Sequence, residues 1–532
     1  MEEYIKQYIK KCLDIDCDIE LTIPKNLSNG DFTSNIAMKL RNTLNISSEK
    51  ILEMLKNNLN SDSIIEKIEL VGPGFLNFYV KKSYLQELVD KILVEKKEFP
   101  VLNKKDYSVN IEYVSANPTG ILHLGTARGA CYGDSLARIL SKYGYNVTKE
   151  YYTNDGGNQI KNLGISVFER YKELCGLPSN LPEDGYYGNE IIDIAKLIYD
   201  EDKDTRLNDN LDYFKDYGVK ILFDNIKLDL KNINVEFDVW SMEKTFYDNN
   251  DVIKVIEKLK SSGYTYEIDD ALWLKTSNFF DEKDRVLIKK DKTYTYLVPD
   301  IAYHNNKYQR NYDLIIDVFG ADHHGYINRL KSSMEMLGND SSKLDIKILQ
   351  LVKLVKDNEE IKMSKRTGKT ITIKELTDMI GKDALRYFYI MKSLDTQMEI
   401  DLDILNKKNQ QNPLYYVSYA HARICSILRE FKNSGIENLK DSKIKIENCY
   451  EIVKKLSEYE SIIEKSALKK MPHLVTNYLY DLASLFHSYY AKNKIITDNV
   501  EETLNNIKLI TAIKYVISNA LNLIGIKAPE KM

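Results

Sequence analysis

Residues 107–153 restrict what this chain can fold into more than any other stretch. Tyr107-Ser108-Val109-Asn110-Ile111-Glu112-Tyr113-Val114 alternates with the two-residue period of a strand. Asn117-Pro118-Thr119-Gly120 reads as a turn. Ala127 to Leu140 carries apolar residues at helical spacing, and Val147 to Thr153 reads as a second strand. Strand, turn, helix, strand is a βαβ unit, and such units build parallel, doubly wound sheets flanked by helices. The runs Leu314–Gly320 and Lys347–Val355 supply further strands of the buried type.

The rest of the chain divides around that α/β core. At 532 residues the chain is too long for one ordinary core. Residues 1–85 read as a small α+β module: helical spacing at Tyr4-Ile5 and Tyr8-Ile9 and again at Ile51-Leu52 and Leu55, then strand, Gly72-Pro73-Gly74 break and strand up to Val80. A helix over Ser83–Glu95 follows and ends before Pro100. The central domain is placed at 106–375, with a polar, charge-rich insertion near 178–250. From 376 to 532 the periodicity is helical nearly throughout, glycine is scarce, and the prolines are Pro413, Pro472 and Pro529, so an all-α bundle is expected.

Composition narrows the setting. Apolar residues make up 43% and charged residues 29%, as in water-soluble globular proteins. No apolar run approaches the ~20 residues that span a bilayer, and the first residues lack a secretory signal. The six cysteines are scattered with no Cys-x-x-Cys pair, so neither a zinc site nor a disulfide framework is expected, and a reducing, cytoplasmic setting follows. A net charge of −4 weighs mildly against a nucleic-acid partner, but local basic patches matter more than the sum.

Two short segments carry the chemistry. His123-Leu124-Gly125-Thr126 stands where the first strand's turn meets its helix, and Lys362-Met363-Ser364-Lys365-Arg366-Thr367-Gly368 is a basic loop far downstream. Taken singly, the first could be a helix cap and the second a solvated turn. In this order they resemble the two signature motifs of class I aminoacyl-tRNA synthetases. Narrower similarities point to the bacterial arginyl-tRNA synthetase family. They are Ser115-Ala116-Asn117-Pro118-Thr119-Gly120, Tyr151-Tyr152-Thr153-Asn154-Asp155-Gly156-Gly157-Asn158-Gln159-Ile160, Tyr296 with Asp300, Gly320-Ala321-Asp322-His323-His324-Gly325-Tyr326, Asp383-Ala384-Leu385-Arg386 and Pro413–Arg423. Two departures stand out: Thr126 where many relatives have a second histidine, and Gly156 where alanine is more usual.

The resemblance implies a Rossmann-type catalytic domain, an N-terminal tRNA-binding module and a helical anticodon-binding domain. It implies an ATP-dependent ligase that joins L-arginine to tRNA(Arg), with ATP as its Mg2+ complex and no metal site in the protein. Activation would build charge on the α-phosphate. His123 could donate to a phosphate oxygen, helix amides add positive field, and Lys362 and Lys365 could hold the leaving pyrophosphate. Thr126 takes the position of the second histidine. Gly125, Met363, Ser364, His323 and His324 are implied around ATP. Ser115, Asn117, Thr126, Tyr296 and Asp300 are implied around arginine, with Tyr296 holding Asp300; a guanidinium is best met by a fixed carboxylate. Tyr415, Tyr419, Arg423 and Tyr489 are candidates to stack on unpaired tRNA bases, with core packing as the alternative. A monomer and tRNA-dependent activation are implied. The rival readings are a class I synthetase for another amino acid, a non-catalytic tRNA-binding paralogue, and a small nucleotidyltransferase of the same core.

Overall fold

A computed structural model describes residues 1–532 except 25, 27, 28, 62, 358, 362–370, 406 and 436–443, and the side chains of residues 42, 44, 322 and 324. The loop that holds Lys362, Met363, Ser364 and Lys365 thus lies outside the described residues, as does the His324 side chain.

The core is the expected parallel sheet. Its five strands are β1 (Ser108–Glu112), β2 (Asn146–Thr153), β3 (Val239–Met242), β4 (Leu314–Gly320) and β5 (Leu344–Leu349), in the spatial order β5-β4-β1-β2-β3. Every neighbouring pair is parallel. The order reverses between β1 and β4, and ligands of such sheets bind outside the strand carboxyl ends at that reversal. Val109, Ile111, Ile315 and Ile316 are fully buried, as strands covered on both faces require.

Helix α1 (Leu124–Lys142) follows β1 and packs against the sheet. Its approach is close: a Cβ on Gly133 would lie 2.1 Å from the Tyr113 ring, so only glycine fits there. Helix α2 (Leu297–Gln309) leads into β4 and puts Asp300, Tyr303, His304 and Lys307 on one face by their spacing of three and four.

The sequence reading needs three adjustments here. Val239–Met242, inside the expected insertion, is the edge strand of the main sheet, pairing with β2 from Glu150↔Val239 to Thr153↔Met242. The inserted helices are therefore Asn189–Asp202 and Leu211–Asn232, which share a core with Gly157–Leu174 through Leu163, Val167, Ile194 and Phe214. Lys347–Val355 is not one strand: the chain leaves the sheet after Leu349 and forms a separate strand, Val352–Lys356, paired with Met398–Asp401. A strand thus also stands in the region expected to be helical. A three-stranded antiparallel sheet, Thr265–Ile268, Ala271–Leu274 and Arg285–Ile288, precedes α2 and was not anticipated.

The N-terminal module is the anticipated α+β unit, three helices on an antiparallel sheet of Phe32–Ser34, Phe75–Val80 and Ile65–Val71. The C-terminal part comprises α3 (Pro413–Asn433), Tyr450–Ser457, Tyr459–Lys469, α4 (His473–Lys492) and α5 (Val500–Leu523). Arg386 staples the parts together. Fully buried, it donates to Asp134 on α1 (2.5 Å), to Ile233 O after the insertion (2.7 Å) and to Ile524 O after α5 (2.7 Å). Among the described residues no helix is long and apolar enough to cross a membrane.

Candidate active site

The chain after β1 is bent by backbone few residues accept. Val114 has φ 72° and Ser115 φ 42°, left-handed values that cost side-chain-bearing residues. Hydrogen bonds hold the bend. Ser115 Oγ donates to Glu112 Oε1 (2.7 Å) and accepts from Tyr152 N (3.1 Å). Tyr151 Oη donates to Ala116 O (2.7 Å) and accepts from Ala116 N (3.0 Å). Asn117 Nδ2 donates to Gln159 Oε1 (2.9 Å). Residues 115–117 are thereby fixed at the carboxyl ends of β1 and β2.

His123 is the N-cap of α1. Its Nδ1 accepts from Gly125 N (3.1 Å), while Thr126 Oγ1 accepts from His123 N (3.0 Å) and donates to His123 O (2.7 Å). This reciprocal cap satisfies backbone groups that the first helical turn leaves open. At His123 the cap uses Nδ1. Thr126 differs: its hydroxyl is committed to the backbone of His123. Gly125 leaves room for the cap, since a Cβ there would lie 3.2 Å from the imidazole. The far end of the basic loop returns to this point. His123 and Thr372 form a backbone bridge, and Ile373 N donates to Leu122 O (3.1 Å). The N-terminus of α1 and the exit of segment 362–370 are thus neighbours.

Asp300 sits in the first turn of α2, half-buried, and its carboxylate accepts a hydrogen bond from Tyr326, not from Tyr296. Tyr296 is 76% exposed, which corrects the expectation that it holds Asp300. Beside Asp300 lies Glu243, at 7% exposure, which accepts from Tyr152 Oη (2.7 Å). Burial pushes the Glu243 carboxyl up to about 7, with repulsion from Asp300 and Asp155 adding to it and the Tyr152 hydrogen bond opposing it. Burial likewise raises Asp300 against the opposing Tyr326 bond, and Glu112 adds repulsion. Two carboxyls raised by burial and by neighbouring acids favour a bound cation strongly. Asp155 caps the Glu243 helix by accepting from Lys244 N (2.9 Å). His323 is exposed, its ring 6.1 Å from that of Tyr326.

Under this pocket lies a buried charge network. Lys307 donates to Glu112 Oε2 (2.5 Å) and to Asp317 Oδ1 (2.7 Å). Tyr303 Oη donates to Glu112 Oε2 (2.9 Å). His304 faces two acceptors, Asp300 O (2.7 Å) and Asp317 Oδ2 (2.9 Å), so both ring nitrogens carry protons and the ring is an imidazolium. Burial would lower the His304 pKa, but Asp317 outweighs burial and raises it. Burial would raise Asp317, yet Lys307 and His304 hold it well below the usual carboxylate range. Glu112, His304 and Asp317 have ligand atoms within 4.8 Å of one another, as a metal site would. Lys307 takes the cation's place among them, so the trio does not read as a metal centre.

The aromatic face of the C-terminal part splits in two. Tyr419, at 42% exposure, stacks on Tyr415 (6.0 Å, 10°) and on His487 (5.8 Å, 21°). Arg423 Nε donates to Tyr490 Oη (2.9 Å). Tyr489, by contrast, is buried and donates to Asn506 Oδ1 (2.7 Å), which places it in the core rather than on a base-stacking surface. Sequence reasoning missed Glu112, Glu243, Tyr326 and Lys307. Asp317 gave a signal, a charge inside an otherwise apolar strand, and Lys307 sits one turn from Tyr303 and His304. Nothing in the sequence around Glu243 sets it apart.

Comparison with known families agrees along the chain. Residues 1–80 match the arginyl tRNA synthetase N terminal domain, 88–398 the tRNA synthetases class I (R) catalytic domain, and 417–532 the DALR anticodon binding domain. The chain belongs to the arginyl-tRNA synthetase family. The arginine–tRNA ligase of Staphylococcus epidermidis is 46% identical over 524 residues, covering 97% of this chain and 95% of the relative. That of Staphylococcus aureus is 45% identical over the same shares. Two solved structures share the fold. The Thermus thermophilus arginyl-tRNA synthetase has a TM-score of 0.80 at 18% identity, covering 100% of both chains. The Plasmodium falciparum arginyl-tRNA synthetase has a TM-score of 0.74 at 19% identity, covering 100% of this chain and 98% of its own.

Proposed function

We propose that the protein joins L-arginine to tRNA(Arg) in two steps. First the arginine carboxylate attacks the α-phosphorus of ATP, taken as its Mg2+ complex. The bond to the bridging oxygen breaks, giving arginyl-adenylate and pyrophosphate. Then the 2′-hydroxyl of the tRNA's terminal ribose attacks the activated carbonyl, its proton is lost, and AMP leaves. No side chain forms a covalent bond. The work is positioning and charge stabilisation. We assign the phosphates to the α1 N-terminus, with His123, Gly125, Met363, Ser364, Lys362 and Lys365, and with His323 and His324 on the adenosine side. We assign the arginine backbone to Ser115 and Asn117, and the guanidinium to Asp300 with Glu243.

The observation that carries the arginine reading is the Asp300–Glu243 pair. A planar, permanently charged guanidinium gains from both carboxylates, each oriented by a tyrosine hydroxyl. Thr126 serves this site indirectly, by fixing the cap residue His123. Residues 1–85 and 376–532 are assigned to tRNA on either side of the 106–375 catalytic domain, with Tyr415, Tyr419 and Arg423 as the stacking candidates. We place the enzyme in the cytoplasm as a monomer; its scattered, unpaired cysteines fit a reducing compartment.

The test is arginine-dependent ATP–pyrophosphate exchange with and without tRNA(Arg). Exchange that requires tRNA supports both the activity and tRNA-gated activation. Exchange without tRNA removes the gating. A folded protein that shows none under either condition contradicts the catalytic reading.

A further inference from the structure

One cleft reverses the sign of the chain. It measures about 750 Å³ and lies where the catalytic domain meets α5 and the residues after it. Its basic lining is Lys97, Arg138, Lys149, Lys231, Lys514 and Lys527, and its acids are Glu236 and Glu530. Six cations less two carboxylates leave +4 in a chain whose net charge is −4. Arg138 is paired with Asp134 at 2.7 Å, and Lys514 lies 4.7 Å from the Tyr515 ring centre. Among the described residues the five lysines pair with no carboxylate. Burial lowers the pKa of His421 on the same wall, and Lys514 adds to the lowering.

The cleft is distinct from the active site. Lys149 lies in the first half of β2, Glu236 precedes β3, and Arg138 is near the C-terminal end of α1. Ser115 and Asn117 follow the carboxyl end of β1, and His323 follows that of β4, at the opposite side of the sheet. Cations in excess of the nearby carboxylates repel one another, and an anion that bridges them relieves the repulsion. The walls come from the catalytic and C-terminal parts, the two regions a tRNA must span to present both its end and its anticodon. Lysine ammonium groups are flexible point charges, which suits backbone phosphates.

We infer that this cleft holds phosphates of the tRNA sugar–phosphate backbone, away from the reacting ribose. The inference rests on the tRNA reading above. Lys231 and Lys527 are exposed, so their replacement leaves packing intact. In the full-length double variant K231Q/K527Q, the slope of log Kd for tRNA(Arg) against log salt falls by roughly 1.5, at about 0.7–0.9 per lost contact. The KM for tRNA rises severalfold while those for ATP and arginine hold. An unchanged slope and KM overturn the inference. So does a variant that loses only stabilisation by tripolyphosphate and keeps the wild-type tRNA slope, which assigns the cleft to a small polyphosphate instead. If the wild type binds tRNA but never charges it, the catalytic reading alone fails, and the double variant's salt slope still decides the cleft: a fall upholds it and no change overturns it.

Discussion

Two clusters of carboxylates lie within a few residues of each other, and they are built on opposite principles. Asp317 and Glu112 enclose their own cation, Lys307, with His304 as a second; Glu150 has Arg310 at 2.8 Å. Asp300 and Glu243 are held by tyrosine hydroxyls, and among the described residues no lysine or arginine pairs with either. The first cluster is electrically complete, and Asp317 stays ionised there. The second has carboxyls pushed up by burial, which makes it receptive to a cation from outside. Buried charge that is matched supports the fold, and buried charge left for a partner supports binding. His304 joins the two, donating to Asp317 in the first and to the backbone carbonyl of Asp300 in the second, and Ser115 ties Glu112 to the backbone of Tyr152, whose hydroxyl holds Glu243.

The comparison breaks most severely at Lys307. Lys307→Met strands buried Glu112 and Asp317 and should cost about 3–5 kcal/mol of stability, read by denaturant unfolding. Glu243→Gln should leave stability within about 1 kcal/mol, because no buried partner is lost. Next, Asp300→Asn should weaken arginine binding by about 2–5 kcal/mol with the fold intact, read as the arginine KM in exchange and by circular dichroism. Third comes pH. A guanidinium binds the ionised carboxyl, and Glu243 titrates at about 7, so its charged fraction rises from about a tenth at pH 6 to about nine tenths at pH 8. The arginine KM should therefore fall about tenfold over that range, and Glu243→Gln should flatten the profile. Smallest is Ser115→Ala, which removes the bridge from Glu112 to the Tyr152 backbone. It should cost about 1 kcal/mol of stability and raise the arginine KM severalfold.

Much of this was legible in the chain and some of it was not. The βαβ unit gave β1, α1 and β2 within a few residues of their ends, because period-two and helical patterns report burial directly. The split at Leu349 escaped, since two short apolar strands in different sheets look like one long one. Edge strand Val239–Met242 escaped because only half-buried residues mark it. Asp300 could be named from Tyr-x-x-x-Asp, but its true partner, Tyr326, is 26 residues away and depends on where α2 meets β4. Glu243 carries no local signature, and its pKa comes from burial and from neighbours at 155 and 300. The Tyr489 hydroxyl finds Asn506 only after α4 and α5 pack.

The most direct test of the receptive pocket is proton release on L-arginine binding, measured by calorimetry at pH 7 in two buffers of different ionisation enthalpy. Capture of the guanidinium by Glu243 predicts release of about half a proton in the wild type and almost none in Glu243→Gln. Binding with no proton release in the wild type would contradict the account.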